Sequence, residues 1–103
     1  MYVNNRGDKP VREFLDSLET NVGAKVAGLI VMLQNNGFNL PPPYSKKISA
    51  YLFELRTSGK IAVRIFYTEL NGCFYLLHGF KKKSQKTPTK EIKTALDRMK
   101  RLI

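Results

Sequence analysis

Ile61-Ala62-Val63-Arg64-Ile65-Phe66-Tyr67-Thr68-Glu69-Leu70-Asn71-Gly72-Cys73-Phe74-Tyr75-Leu76-Leu77-His78-Gly79-Phe80-Lys81 is a run of β-branched and aromatic residues broken once, at Asn71-Gly72. That dipeptide tolerates positive φ at both central positions of a two-residue hairpin turn, so the run reads as two antiparallel strands. The turn sets Leu70 opposite Cys73, and counting outward sets Arg64 opposite Gly79 and Ala62 opposite Lys81. Upstream, residues 51–56 form a further strand, joined through Thr57-Ser58-Gly59, where Gly59 supplies the positive φ of a three-residue loop. That loop pairs Arg56 with Lys60, Glu54 with Ala62 and Leu52 with Arg64.

Side chains alternate faces along a strand. One face therefore collects Phe53, Leu55, Ile61, Val63, Ile65, Tyr67, Phe74, Leu76, His78 and Phe80, nearly all apolar, and is expected to pack on helices. The other collects Leu52, Glu54, Arg56, Ala62, Arg64, Phe66, Tyr75, Leu77 and Lys81, so Arg56, Arg64 and Lys81 converge beside Glu54. A loop one residue shorter or longer before Lys60 would turn Arg64 and Glu54 to opposite sides.

Around this sheet the chain reads as helices. Asp8 and Pro10 open a first helix with Val11, Phe14, Leu15 and Leu18 on its inner stripe. Asn21 caps a second, carrying Val22, Val26, Leu29, Ile30 and Leu33 and ending at Asn36-Gly37. Joined by a short turn, the pair is expected to form a helical hairpin. Residues 38–45, with Pro41-Pro42-Pro43, make a stiff connector. Thr87 as cap with Pro88 at the first helical position starts a last helix whose inner face is Ile92, Ala95, Leu96, Met99 and Ile103. Residues 1–3 can add an edge strand. The expected fold is thus α+β: an N-terminal helical hairpin packed on a small antiparallel β-sheet, with a C-terminal helix.

With 103 residues and 43% hydrophobic composition the chain makes a single domain, residues 1–103, with one core. Cys73 is the lone cysteine, which excludes an internal disulfide and fits a reducing cytoplasm. The opening MYVNNRGDKP is polar, unlike a secretory signal, and residues 22–33 are too short and too interrupted to span a membrane. One His and one Cys do not make a zinc site, so neither a metal nor another cofactor is expected.

Charge points to a polyanionic partner. The net charge is +10, and residues 81–103 hold 9 Lys and Arg against only Glu91 and Asp97. A basic field of this kind attracts nucleic acid and speeds encounter with it. The plainer alternative is a solvated lysine-rich surface.

Cleavage of RNA by its own 2′-OH builds negative charge on a five-coordinate phosphorus, which fixed guanidinium and ammonium groups stabilise without a metal. Arg64, with a planar fork, suits the clamp, and Lys81 suits proton transfer. The alternative for Arg64 is a structural ion pair with Glu54. Glu54 is a candidate general base, but neighbouring cations favour its ionised form, so orienting Arg56 or Arg64 fits it better. Arg56, Lys82, Lys83, Lys86, Lys46 and Lys47 are placed to hold the RNA backbone. Tyr75 and Phe66 can either stack a base or pack under the last helix. His78, on the helix-facing side, reads as a packed structural residue, and Cys73 as structural too.

The elements Leu52-Phe53-Glu54-Leu55-Arg56, Arg64-Ile65-Phe66-Tyr67 and Leu77-His78-Gly79-Phe80-Lys81-Lys82, with Lys86-Thr87-Pro88 and Glu91-Ile92, resemble the phage-derived HigB-like branch of the RelE/ParE toxin superfamily. The likeness covers nearly the whole chain. It implies a RelE-like fold and a type II toxin acting as a ribosome-dependent mRNA endonuclease that inhibits translation. It also implies neutralisation by a cognate acidic, HigA-like antitoxin. Arg64 matches the family's strand arginine and Lys81 the basic residue after the strand-end glycine. Leu52 and Glu54 stand where RelE-type enzymes place lysines, and Thr87 where they place a tyrosine. The superfamily also includes ParE-like toxins that inhibit DNA gyrase instead of cutting RNA, so the fold admits both targets.

Overall fold

The structure is a computed structural model that describes residues 10–36, 40, 43–57, 59–70, 72–83 and 87–102. Among these residues it is an α+β arrangement of three helices and one four-stranded antiparallel sheet: α1 Pro10–Asp16, α2 Thr20–Asn36, β1 Ser45–Lys47, β2 Phe53–Arg56, β3 Ala62–Leu70, β4 Cys73–Lys82 and α3 Thr89–Lys100, with strand order β1-β2-β3-β4. Among the described residues no helix is long and apolar enough to cross a membrane. Asp8, Gly37, Asn71, Lys86, Ile103 and the expected edge strand at residues 1–3 lie outside the described residues.

The helices form where apolar periodicity placed them. Val11 is fully buried in α1, and Val22, Val26, Leu29 and Leu33 are buried along α2. At the end of α1 the Ser17 hydroxyl donates to the Phe14 carbonyl at 2.6 Å, occupying one of the acceptors that a helix end leaves open. Asn21 does not cap α2 from outside: the helix already includes Thr20, and the Asn21 side chain accepts the Val22 amide at 3.0 Å.

The sheet has one strand more than expected. Ser45, assigned to the connector, instead opens β1, with Lys46 opposite Glu54 and Lys47 opposite Phe53. The Ser45 hydroxyl meets the Tyr67 hydroxyl at 2.8 Å, tying this edge to β3. Burial pushes the Tyr67 phenol above its ordinary range, and the Ser45 bond partly offsets that.

Each face of the sheet buries its own core. On one side Val11, Val22, Val26 and Leu33 from α1 and α2 meet Leu55, Val63, Ile65, Tyr67 and Leu76. On the other, Leu52, Phe66, Leu77 and Phe80 meet Ala95, with Ile92, Leu96 and Met99 of α3 packed around them. Each large apolar side chain buried this way contributes about 1.5–3 kcal/mol. Sequence left the position of α3 open, and burial settles it: the helix lies over the apolar half of the second face.

The β3–β4 register runs as expected from Leu70 opposite Cys73 as far as Tyr67 opposite Leu76, then slips by one: Phe66 faces His78, leaving Leu77 as the extra residue of a bulge. Past the bulge Arg64 stands opposite Phe80, not Gly79, and Ala62 opposite Lys82, not Lys81. Two adjacent residues, Leu77 and His78, thereby face the same side, toward α3. Gly79 turns toward α1, where a β-carbon would come within 2.5 Å of the Phe14 ring. Unbulged alternation would drive His78 into that ring.

Candidate functional site

Three side chains converge at the end of β2 and β3. Arg56 is the cross-strand partner of Arg64, and Glu54, two pairs further in, faces Phe66. The expected β2–β3 pairing is displaced by four residues, because residues 57–63 rather than a three-residue loop separate the paired arginines. An even displacement preserves which face each side chain occupies. Arg56, Arg64 and Glu54 therefore share a face as expected, on a different register.

Like charges directly opposite on a sheet repel, and here Glu54 lies between them. Its side chain is 1% exposed; Oε1 is 3.5 Å from Arg56 Nε and 3.7 Å from Arg64 Nε. These separations exceed hydrogen-bond length, so the attraction is Coulombic. The other oxygen, Oε2, accepts the Thr87 hydroxyl at 3.0 Å. Both Glu54 oxygens thus face protein groups, the arginines on one side and Thr87 on the other.

Arg64 is fixed by the backbone. Its Nη1 donates to the carbonyls of Thr57 at 2.8 Å and Val63 at 3.0 Å, while the buried Nε finds no acceptor among the described residues. Desolvation, then Arg56, lowers its pKa, against the opposing pull of Glu54; a guanidinium stays charged at neutral pH nonetheless. Arg56 keeps 32% of its side chain exposed and is the more open of the two.

The lysine in this cluster is Lys82. It is paired with Ala62 on the arginine face, and its pKa is drawn below the ordinary lysine value by desolvation first, then by Arg64 and Arg56, with Lys46 adding to the push and Glu54 resisting it. Lys81, expected here, pairs with Val63 and is exposed on the opposite side. Lys46 stands opposite Glu54, whereas Lys47 stands opposite Phe53 and turns away. Lys83 is exposed just past β4, and Lys86 falls outside the described residues. The involvement of Lys82 rests on a one-residue bulge, which no turn residue in the sequence announces.

The bulge also corrects the placing of His78 and Phe80, which face α3 and not the α1–α2 side. His78 remains a packed residue: Nε2 is 3.0 Å from Glu91 Oε1, Nδ1 is 3.2 Å from Arg98 Nη1, and the ring forms a three-membered aromatic cluster with Phe66 and Phe80, which also contact each other. These contacts assign the tautomer that donates from Nε2 and accepts at Nδ1. Arg98 also donates to the Leu77 carbonyl at 2.9 Å, so α3 is fastened to β4 at the bulge. Phe66, a candidate for base stacking, is fully buried beneath α3, and Tyr75 packs against the same cluster.

Thr87 is not the cap of α3. Pro88 occupies the cap position without a side-chain bond, and the Thr87 hydroxyl goes to Glu54 instead. The chain entering α3 thus supports the carboxylate that holds both arginines.

The family model for Phage derived protein Gp49-like (DUF891) matches residues 13–100, which include every element from α2 to α3. That family is toxin-like and related to RelE/HigB type toxins. No curated protein matches the chain.

Proposed function

The chain belongs to the phage-derived Gp49-like family, and from that premise we propose that it is the toxin of a type II toxin–antitoxin pair, an endoribonuclease that cuts mRNA on the ribosome and so stops translation. The reading rests on one observation: Arg56, Arg64 and Lys82 are held on neighbouring strands around a single buried carboxylate, with Lys46 beside them. Such an array is preorganised for the charge that develops on a phosphate under attack.

In the proposed step the 2′-oxygen loses its proton to solvent water and bonds to the adjacent phosphorus. The bond from phosphorus to the 5′-oxygen breaks, and that oxygen takes up a proton. The products are a 2′,3′-cyclic phosphate and a 5′-hydroxyl. Arg56 and Arg64 stabilise the phosphorane oxygens. Lys82, with its depressed pKa, delivers the proton to the leaving oxygen. Glu54 and Thr87 position the guanidiniums without touching the RNA. Lys81, Lys83, Lys86, Lys46 and Lys47 hold phosphates further along the strand or on ribosomal RNA. The site of action is the bacterial cytoplasm, and an acidic antitoxin complements the +10 charge.

Mapping RNA ends after adding purified protein to a translating extract tests the reading. Cuts within translated codons, ending in cyclic phosphate and lost in the Arg56→Ala, Lys82→Ala double variant, are expected. Intact transcripts together with trapped gyrase–DNA complexes would overturn it.

A further inference from the structure

Beside the arginines lies a groove of about 530 Å³ whose apolar walls the mechanism above does not use, within the ~300–1,000 Å³ range of small-molecule sites. Its walls are apolar: Leu29 and Met32 of α2, Pro43 and Tyr44 ahead of β1, and Ala62 at the start of β3. Tyr44 is 41% exposed, one of the few large apolar side chains that the fold leaves open.

The rim is cationic. Arg56, Arg64 and Lys25 of α2 all line the groove. A β-carbon built on Gly59 would stand 3.1 Å from Lys25 Nζ, so the ammonium lies against the loop that joins the two arginine-bearing strands. Small residues keep the space open: a β-carbon on Gly28 would meet nothing within 4 Å. An apolar slot rimmed by cations matches a nucleotide, whose base presents flat apolar faces and whose flanking phosphates carry the charge.

We propose that this groove is a nucleotide subsite: the base next to the scissile phosphate lies between Leu29, Met32 and the Tyr44 ring, with its phosphates spanning Lys25 and the arginine pair. The assignment rests on the RNA-cleaving reading and deepens it. The groove then sets which nucleotide is preferred beside the cut, whereas Arg56, Arg64 and Lys82 act on any phosphate.

Gly28→Leu fills the slot from an exposed helical position, and leucine is a better helix former than glycine, so the variant keeps the fold; Gly28→Gln is a second, polar filler. Wild type, both fillers and Lys25→Ala are titrated with each of the four nucleoside 5′-monophosphates and with inorganic phosphate, following the methyl NMR signals of Leu29 and Met32. At least one nucleotide is expected to bind wild type about tenfold more tightly than phosphate, the scale of one stacked base. That advantage disappears in Gly28→Leu and Gly28→Gln while phosphate affinity is retained, and Lys25→Ala weakens both ligands. Equal affinities for nucleotides and phosphate, or fillers that change nothing, overturn the proposal. So does a filler that spares nucleotide binding and instead weakens neutralisation by a partner protein. RNA cleavage is scored separately. Wild-type cleavage with cut positions unchanged in Gly28→Leu removes the subsite and leaves the nuclease reading standing; nucleotide binding without cleavage does the reverse.

Discussion

Arg56 and Arg64 face each other across β2 and β3 and share a single counter-ion, with Glu54 Oε1 at 3.5 Å from one Nε and 3.7 Å from the other. Two cations held directly opposite each other repel and are unfavourable to a fold, while the same pairing is useful for binding a phosphate. The buried carboxylate reconciles the two demands.

Removing that carboxylate is expected to be expensive. Glu54→Gln leaves Arg64 buried without a counter-charge, and unfolding in urea should lose about 3 kcal/mol. A Glu54→Leu, Arg64→Met double variant, which removes both buried charges, should recover most of that loss while staying inactive. A Glu54→Gln protein within about 0.5 kcal/mol of wild type would show that solvent, not Glu54, balances the arginines.

Lys82 and its neighbour separate the bulged register from the unbulged one. Cleavage in a translating extract should fall about 100-fold in Lys82→Ala, the scale of losing one transition-state donor. Lys81→Ala, altering only an outlying phosphate contact, should change it by less than about tenfold. The reverse ranking would place Lys81 at the reacting phosphate.

Stability should respond to pH through Lys82 with a definite sign. Its pKa in the folded state lies below the ordinary 10.5, so folding disfavours the ammonium. Between the lowered value and 10.5 the unfolded chain binds more protons, and stability rises with pH there. Below that window the penalty is fully present. Lys82→Met should therefore melt above wild type at neutral pH, with the gap closing as pH climbs. Tyr67, with its raised pKa, loses stability above the ordinary 10.0 as the unfolded phenol ionises, but it is common to both proteins and cancels. In activity, Lys82 as proton donor makes cleavage fall as pH rises through its lowered pKa, and Lys82→Arg should flatten that alkaline limb.

Gly79→Ala probes the seat of α1. The added methyl lands 2.5 Å from a Phe14 ring carbon, and overpacking of this kind costs about 1–3 kcal/mol. Phe14→Leu in the same chain should restore much of the loss in thermal melts. A Gly79→Ala protein as stable as wild type would mean that α1 shifts freely on the sheet.

Much of this was readable from residue order. Val22, Val26, Leu29 and Leu33 fall on one helical stripe whatever they pack against, and the hairpin pairs Leu70 with Cys73 as the Asn-Gly signal in the sequence requires. The register of β2 was not readable, since Thr57-Ser58-Gly59 suits a short loop, yet Thr57 instead bonds Val63 at both its amide and its hydroxyl. Grouping Arg56, Arg64 and Glu54 survived because the displacement was even.

What order alone determined is the set of local periods: which residues are helical, which alternate, and hence that two arginines and a glutamate share a side. These follow from backbone geometry within each segment. Tertiary packing decided the rest. Burying Leu77, His78 and Phe80 together under α3, with Gly79 left for Phe14, requires one extra residue in β4. That single slip exchanges Lys81 for Lys82 at the site, because with a period of two a shift of one residue reverses every side chain beyond it.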